Sequence, residues 1–397
     1  MHFQGVKTVP GDPIFGLQEL YHNDPAPGKM ELALGVYKDE HGNTPILNSV
    51  KLAERHLQEH ERSKSYIGSH GDPLFNELIT RLVLGDDSPL LAQRAAATQA
   101  PGGTGALRLA ADFIAHNLPG RSIWISDPSW PIHQTLFAAA GVPVRHYTYI
   151  GDTNQVDMDG LIATLSQAPK GDVVLLHACC HNPSGFDLTA QEWTRLLEVI
   201  KRRELLPLLD FAYQGFAEGL EQDAFAGRLF AEQLPELLIT HSCSKNFGLY
   251  RERTGALIAC AATGEQLQAI RSQLAVAARN LWSNPPSHGA AVVTHILSNP
   301  ALRTEWTREL ESMRQRIFGL RHDLVEALAA HDLRQLFEHI TRQRGIFSYT
   351  GLSAAQVKRL QDEFSIYMVG RGRANITGIN SAHIDQLASA IASVCEE

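Results

Sequence analysis

Between residues 100 and 260 the chain repeats one pattern: a short run that is apolar throughout, then a stretch with helical spacing. The runs are "SIWIS" (122–126), "DVVLLH" (172–177), "LLPLLD" (205–210), "ELLITH" (236–241) and "GALIAC" (255–260). Runs apolar on both faces need cover on both. The segments between them, such as "TAQEWTRLLEVIKRRE" (189–204), supply it as amphipathic helices. The pattern predicts an α/β fold with a mainly parallel sheet flanked by helices. Sites in such sheets form at the carboxyl ends of the strands. Polar residues collect there: Asp127, His181 and Asn182, Asp210, and Ser242 through Lys245.

A long helical pattern, "ELESMRQRIFGLRHDLVEALAAH" (309–331), opens the C-terminal part. The runs "GIFSYTGL" and "FSIYMV" and a closing helix "SAHIDQLASAIASVC" follow. They predict a smaller α+β domain, with boundaries at 1–44 (an N-terminal arm and part of the small domain), 45–312 (the large domain) and 313–397 (the small domain). A net charge of -8, with no run of lysines or arginines, argues against a protein that depends on a general basic surface for nucleic acid. Five cysteines without a regular framework suit a reducing compartment. The N-terminus lacks the basic-then-apolar order of a secretory signal, and no stretch of about 18 apolar residues exists to span a membrane. The expectation is a cytoplasmic protein whose partners are small molecules and other chains.

Several motifs offer chemistry. "PGGTGALRLAADFIAHNL" (101–118) sets glycines and Thr104 before a helix, where free N–H groups and the dipole suit a phosphate; a plain glycine-rich turn explains it as well. It matches neither G-x-G-x-x-G nor a P-loop. Asp210 ends a buried run, as a loop cap or as a counter-charge for a cationic ligand, and Tyr213 beside it either donates to that ligand or packs. "HACCHNPSG" (177–185) brings His177, Cys179, Cys180 and His181 together and invites zinc, although vicinal cysteines are awkward ligands. Asn182 is a turn former or a ligand contact. Arg373 in "VGRGRANITG" and Arg279 in "ARNLWSNPPSHG" suit bidentate carboxylate recognition, or are solvated. Lys245 in "SCSKNFGLYRERTG" follows an apolar run and stands among hydroxyls, which asks for a chemical reason to bury an amine. A nucleophilic lysine, a phosphate cradle, a buried aspartate and two carboxylate-binding arginines are together the parts that a pyridoxal-phosphate enzyme needs.

The stretches "SYIGSHGDP", "TQAPGGTGALRLAADF", "DPSWPIH", "HACCHNPSGFD", "PLLDFAYQGF", "SCSKNFGLYRERTGAL", "NLWSNPPSHGA", "GIFSYTGL" and "GRGRANITG" resemble the class I aminotransferases of the aspartate and aromatic amino acid type, over nearly the whole chain. The resemblance implies the fold-type I architecture of pyridoxal-phosphate transferases and a homodimer with active sites at the subunit interface. It implies that Lys245 attaches the cofactor and then shuttles a proton, that Asp210 pairs with the pyridine nitrogen, and that His133 supports Asp210 from behind. Tyr213 and Asn182 would bond the ring's 3-oxygen, and Trp130 would stack on the ring. Gly103, Thr104, Ser242, Ser244 and Arg253 would hold the phosphate, with Tyr66 reaching over from the other subunit. Arg373 would clamp the substrate α-carboxylate, with Gly35 closing over it and Phe347 lining the pocket. Arg279 of the partner chain would bind a distal carboxylate.

The substrate is a choice between two subfamilies. Val36, Lys38, Thr44, Thr104 and Asn284 look like aspartate-type rim residues, and Ser65 fits neither type. The longer stretches, "HACCHNPSGFDL" and "CSKNFGLYRERTGALI" among them, resemble bacterial aromatic aminotransferases that also use aspartate. The expectation is therefore an aromatic amino acid aminotransferase that retains aspartate activity, with a strict aspartate aminotransferase as the alternative. A catalytically silent cofactor-binding regulator is less expected, because every implied catalytic position is filled and no DNA-binding domain precedes "VPGDP". A decarboxylase or lyase on the same scaffold is disfavoured by the pairing of Arg373 with Arg279.

Overall fold

The computed structural model describes residues 1–9, 11, 13–151 and 155–396. The chain forms two units. One comprises Thr44–Arg316 with Gln343–Gly345, the other Met1–Asn43, Ile317–Arg342 and Ile346–Glu397.

The first unit is built on a seven-stranded sheet. Its strands are β1 (Ala95–Pro101), β2 (Ile123–Asp127), β3 (Val144–Thr148), β4 (Val173–His177), β5 (Leu206–Phe211), β6 (Leu237–Ser242) and β7 (Thr254–Cys260), in the order β1-β7-β6-β5-β4-β2-β3. Strands β3, β2, β4, β5 and β6 are parallel, and β2, β4, β5 and β6 are apolar on both faces as such a covered sheet requires. The helices Gly102–Asn117 and Gly264–Trp282 cover the sheet, burying Leu109, Phe113, Ile114, Leu267 and Leu274 with Leu175, Leu208, Leu238 and Leu257 of the strands. Helix Ala190–Arg203 buries Trp193, Leu196 and Ile200, and it starts where a capping box predicts, Thr189 and Glu192 each satisfying the other's backbone N–H.

Three features depart from the sequence expectation. "GALIAC" is a strand, but β7 runs antiparallel to both its neighbours, β1 and β6. Strand β1, "AAATQAP", carries no β-branched residue but Thr98, and edge strand β3, "VRHYT", is largely exposed, so neither shows an apolar run. The helical pattern read from residue 309 begins earlier, in a helix over Pro300–Ala329. The reversal of β7 matters for the site. It places Thr254 opposite Pro101 and Gly255 opposite Ser242, so the residues just before β7 share an edge with the carboxyl ends of β1 and β6.

In the second unit, Arg373–Asn375 pairs antiparallel with Phe347–Tyr349, and Met30–Glu31 pairs parallel with Ile366–Tyr367. The fully buried Arg321 donates to the carbonyls of Phe347 at 2.7 Å and Ile340 at 3.2 Å, which anchors the Phe347 strand. Among the described residues, no helix is long and apolar enough to cross a membrane.

The turn after β6 is braced from the helix Pro300–Ala329. Trp306 is fully buried, stacks on Phe247 with ring centroids 4.3 Å apart, and donates its indole N–H to the Asn246 carbonyl at 2.7 Å. Trp306→Ala is expected to destabilise the protein by about 3–5 kcal/mol through the cavity it leaves. Trp306→Phe keeps the stack but loses the hydrogen bond and should cost only about 1–2 kcal/mol. Urea denaturation midpoints measure both.

Candidate active site

Asp210 lies near the carboxyl end of β5, buried, with one carboxylate oxygen 3.1 Å from His133 Nε2 and the other accepting the Thr240 hydroxyl at 3.0 Å. His133 is fully buried on the helix Pro131–Ala139, and its Nδ1 lies 3.0 Å from Ser129 Oγ. Burial works to raise the pKa of Asp210. The hydrogen bond and charge of His133, the charge of His177 and the Thr240 hydroxyl outweigh it, so the carboxyl titrates below its usual value and stays ionised. A buried anion so maintained is suited to face a cation.

Lys245 follows β6 in the connection, residues 243–253, that leads into β7. The residue keeps part of its surface open, but its amine sits in dense surroundings, 4.9 Å from the centroid of the Tyr213 ring. Burial lowers its pKa to about 8; the negative charge of Asp210 opposes that shift and the positive charge of Arg253 adds to it. An amine of ordinary pKa is neutral to about 0.3% at pH 8, whereas this one is about half neutral. Lys245 therefore offers a nucleophilic amine near neutral pH.

A cradle for an anion adjoins it. The helix Gly102–Asn117 starts without a side-chain cap, so its first N–H groups have no side-chain acceptor at the cap. Gly102 adopts φ +73, and a Cβ on it would lie 2.6 Å from Arg253 Nη2; a Cβ on Gly103 would lie 3.0 Å from Ser242 Cβ. The positive φ favours glycine at 102, and a side chain on residue 103 would press on that of Ser242. Arg253, itself at φ 55, donates to the Tyr250 carbonyl at 2.8 Å and reaches Ser244 Oγ at 3.5 Å. Gly103, Ser242, Ser244 and Arg253 thus converge from three strand ends, with Thr104 exposed on the first turn of the helix.

The loop after β4 carries Asn182, buried, with no hydrogen-bond partner for its side-chain oxygen. Asp187 holds this loop by accepting the N–H groups of Cys180 at 2.7 Å and His181 at 2.9 Å, and burial pushes its pKa up to about 6. The zinc reading of "HACCH" does not match this arrangement. His181 spends both ring nitrogens on Ser126 and Ser184, and Cys180 Sγ points to the Tyr213 carbonyl. Among the described residues, the group whose ligand atoms lie within 4.8 Å of one another is His133, His177 and Asp210, with no cysteine in it. Trp130 is half-buried at the start of the His133 helix, edge-on to His133 at 5.3 Å.

Two expected residues are exposed on the same unit. Tyr66 is 91% exposed, on a segment tied to the end of the helix Gly264–Trp282 by Ile67 N–H to Asn284 Oδ1 at 2.8 Å and Ser69 Oγ to the Ser283 carbonyl at 3.2 Å. Arg279 stands exposed on the last turn of that helix. In the other unit Gly35, Phe347 and Arg373 meet one another. Arg373 is buried, its guanidinium lies 4.4 Å from the centroid of the Phe347 ring, and Nη2 donates to the Ala33 carbonyl at 2.7 Å. A Cβ on Gly35 would lie 2.9 Å from Phe347 Cζ. Sequence reasoning singles out the glycines of "PGGTG" but not Thr240, which bonds Asp210 from the neighbouring strand, a contact that no motif records.

The family model for aminotransferase class I and II matches residues 27–391. The chain is 61% identical to the aromatic-amino-acid aminotransferase of Pseudomonas aeruginosa over 397 residues, all of both chains. It is 47% identical to the aspartate aminotransferase of Escherichia coli, covering 99% of this chain and 100% of that one. The structure matches the crystal structure of an aromatic-amino-acid aminotransferase from Burkholderia pseudomallei covalently bound to pyridoxal phosphate, with a TM-score of 0.97, 44% identity and 99% of each chain covered.

The Lys245 shift has a thermodynamic consequence. The folded amine titrates near 8 and the unfolded one near 10.5, so between those values the unfolded chain binds more protons and stability rises with pH. In cofactor-free protein, the urea midpoint of the wild type is expected to gain on that of Lys245→Met between pH 7.5 and 10. Parallel curves for the two proteins would show that Lys245 has an ordinary pKa.

Proposed function

We infer the activity from kinship: the chain belongs to the aminotransferase family of classes I and II. It transfers the amino group of phenylalanine, tyrosine or tryptophan, and of aspartate, to 2-oxoglutarate, giving the 2-oxo acid and glutamate with pyridoxal 5'-phosphate as cofactor. The observation that carries the reaction class is the Lys245 amine, its pKa drawn down by burial, in one site with the buried, hydrogen-bonded Asp210 and a glycine-and-arginine cradle. The aromatic preference is supported by full-length kinship with an aromatic enzyme.

The residues present fit this cofactor. Gly103, Ser242, Ser244 and Arg253, with Thr104, would hold its phosphate; Asp210, backed by His133, would pair with its ring nitrogen. Asn182, through its side-chain amide N–H, and Tyr213, through its hydroxyl, would donate to its ring oxygen, and Trp130 would lie on its face. When bound, the cofactor supplies an electron-withdrawing ring that accepts the electron pair left as the substrate Cα–H bond breaks. The chain's own task is to place charge and move a proton. Asp210 would keep a negative charge at the ring nitrogen, and the Lys245 amine, about half neutral at pH 8, would accept the Cα proton and hand it on to the cofactor's C4′ carbon rather than back to Cα. Arg373 receives the α-carboxylate, with Gly35 and Phe347 about it.

The proposal includes a cytoplasmic homodimer in which Tyr66 and Arg279 serve the partner's site. Their exposure on one surface, joined through Ile67 and Asn284, supports this. The alternative, an aspartate aminotransferase with little aromatic activity, draws on the 47% identity to such an enzyme.

Steady-state kinetics with phenylalanine and with aspartate, each with 2-oxoglutarate, decide between them. The expected result is a phenylalanine kcat/KM equal to or above that of aspartate. An aspartate lead of about 1000-fold, roughly 4 kcal/mol, selects the alternative. Arg279→Ala should lower kcat/KM for aspartate by about 100-fold while leaving phenylalanine within about threefold, since it removes one charge-assisted contact to a distal carboxylate.

A further inference from the structure

The Asp210 carboxylate is anchored at both oxygens. His133 holds Oδ2 at 3.1 Å, and the Thr240 hydroxyl donates to Oδ1 at 3.0 Å. Thr240 is the register partner of Asp210 on the adjacent strand β6, and it is fully buried. Its other acceptor, the Leu209 carbonyl, is 3.5 Å away, at the limit of a hydrogen bond. A central buried strand favours valine at such a position, because a buried hydroxyl costs free energy unless bonded. The hydroxyl therefore calls for an explanation, and its bond to Asp210 is the one on offer. A carboxylate held at one oxygen can still turn about Cβ–Cγ, a torsion with a broad profile. Held at both, its plane is set.

We propose that Thr240 is a positioning residue whose hydroxyl fixes the plane of the Asp210 carboxylate and so aims its free lone pairs at the ring nitrogen of the cofactor. This rests on the reading of Asp210 as the partner of that nitrogen. His133 alone would leave the carboxylate free to twist. Thr240 removes that freedom before the cofactor binds, so less order has to be imposed on binding.

Two variants separate orientation from packing. Thr240→Val keeps volume and branching but loses the donor; Thr240→Ser keeps the donor and loses a methyl group. In the purified holoenzyme, Thr240→Val is expected to lower kcat for phenylalanine about tenfold, equivalent to about 1.4 kcal/mol, with KM within about twofold. Its dissociation constant for pyridoxal phosphate, followed by tryptophan fluorescence, should rise at least about threefold, while its melting temperature stays within about 2 °C of the wild type. Thr240→Ser should melt lower than Thr240→Val and yet keep kcat and cofactor affinity within about twofold of the wild type. If Thr240→Ser is as impaired as Thr240→Val, or if the losses track melting temperature, the side chain acts by packing and the inference is overturned. Asp210→Asn tests the reading underneath. If it loses at least about 100-fold in kcat while Thr240→Val matches the wild type, the Thr240 inference alone fails. An Asp210→Asn variant as active as the wild type would overturn both.

Discussion

An ionised carboxylate buried near the end of a parallel strand is the constraint around which the larger unit is arranged. Burial alone would protonate Asp210, and the charge survives because hydrogen-bond donors reach it from two directions. Those donors come from separate elements, His133 from a helix after β2 and Thr240 from the strand beside β5. A parallel sheet makes this convergence cheap, because the carboxyl ends of adjacent strands lie along one edge. Lys245 depends on the same centre. The negative charge of Asp210 keeps its amine more basic than burial and Arg253 alone would leave it, and the balance falls near 8.

The anion cradle depends on a departure from the parallel rule. Were β7 parallel to β6, its first residue would lie at the opposite edge of the sheet, and Arg253 would be far from the N-terminus of the helix Gly102–Asn117. Running antiparallel, β7 lets a short turn after Lys245 return at once, with Gly255 opposite Ser242 and Thr254 opposite Pro101. The turn carries Arg253 back against Gly102, on which a Cβ would lie 2.6 Å from the guanidinium. The positive φ of Arg253 is of the kind that persists only where surrounding structure enforces it. Trp306, bonded to the Asn246 carbonyl within the turn, is part of that enforcement.

Much of this was legible in the chain, for stated physical reasons. Strands β2, β4, β5, β6 and β7 announce themselves because burial on both faces demands unbroken apolar runs. The polar residues that end them mark the site edge for the same reason. Strand β1 was not legible, since "AAATQAP" has small and polar residues and a proline that ordinarily argue against a strand. Its partner β7 supplies the stability that its own composition lacks. The direction of β7 was also hidden: an apolar run carries no sign of polarity, and only the brevity of the turn between Ser242 and Thr254 hinted at reversal. Thr240 was invisible because its role lies in a register across strands, which local spacing does not encode. Cys179 and Cys180 drew attention toward metal, yet the loop they share is organised by Asp187 through backbone N–H groups, which a side-chain motif does not reveal.

The bonds made by the rim residues bear on the substrate. Lys38, of aspartate type by its identity, forms an ion pair with Glu31 at 2.5 Å, and Glu31 in turn accepts the N–H groups of Ala33 and Leu34. A lysine so paired and only 17% exposed offers little net charge to a distant carboxylate, because its field is largely cancelled by its partner. Its work is local, holding the segment that carries Gly35. Asn284, also of aspartate type, spends its side-chain oxygen on the Ile67 N–H and so shapes the segment that presents Tyr66. Neither identity, then, reports on a dicarboxylate directly. Arg279 differs from both: it is exposed, and a long flexible side chain there can engage a distal carboxylate or yield space to an aromatic ring without disturbing a buried pair. If Arg279 reads the distal carboxylate as proposed, selection between the substrate classes rests on the freedom of that exposed arginine rather than on Lys38 or Asn284, whose bonds are already spent.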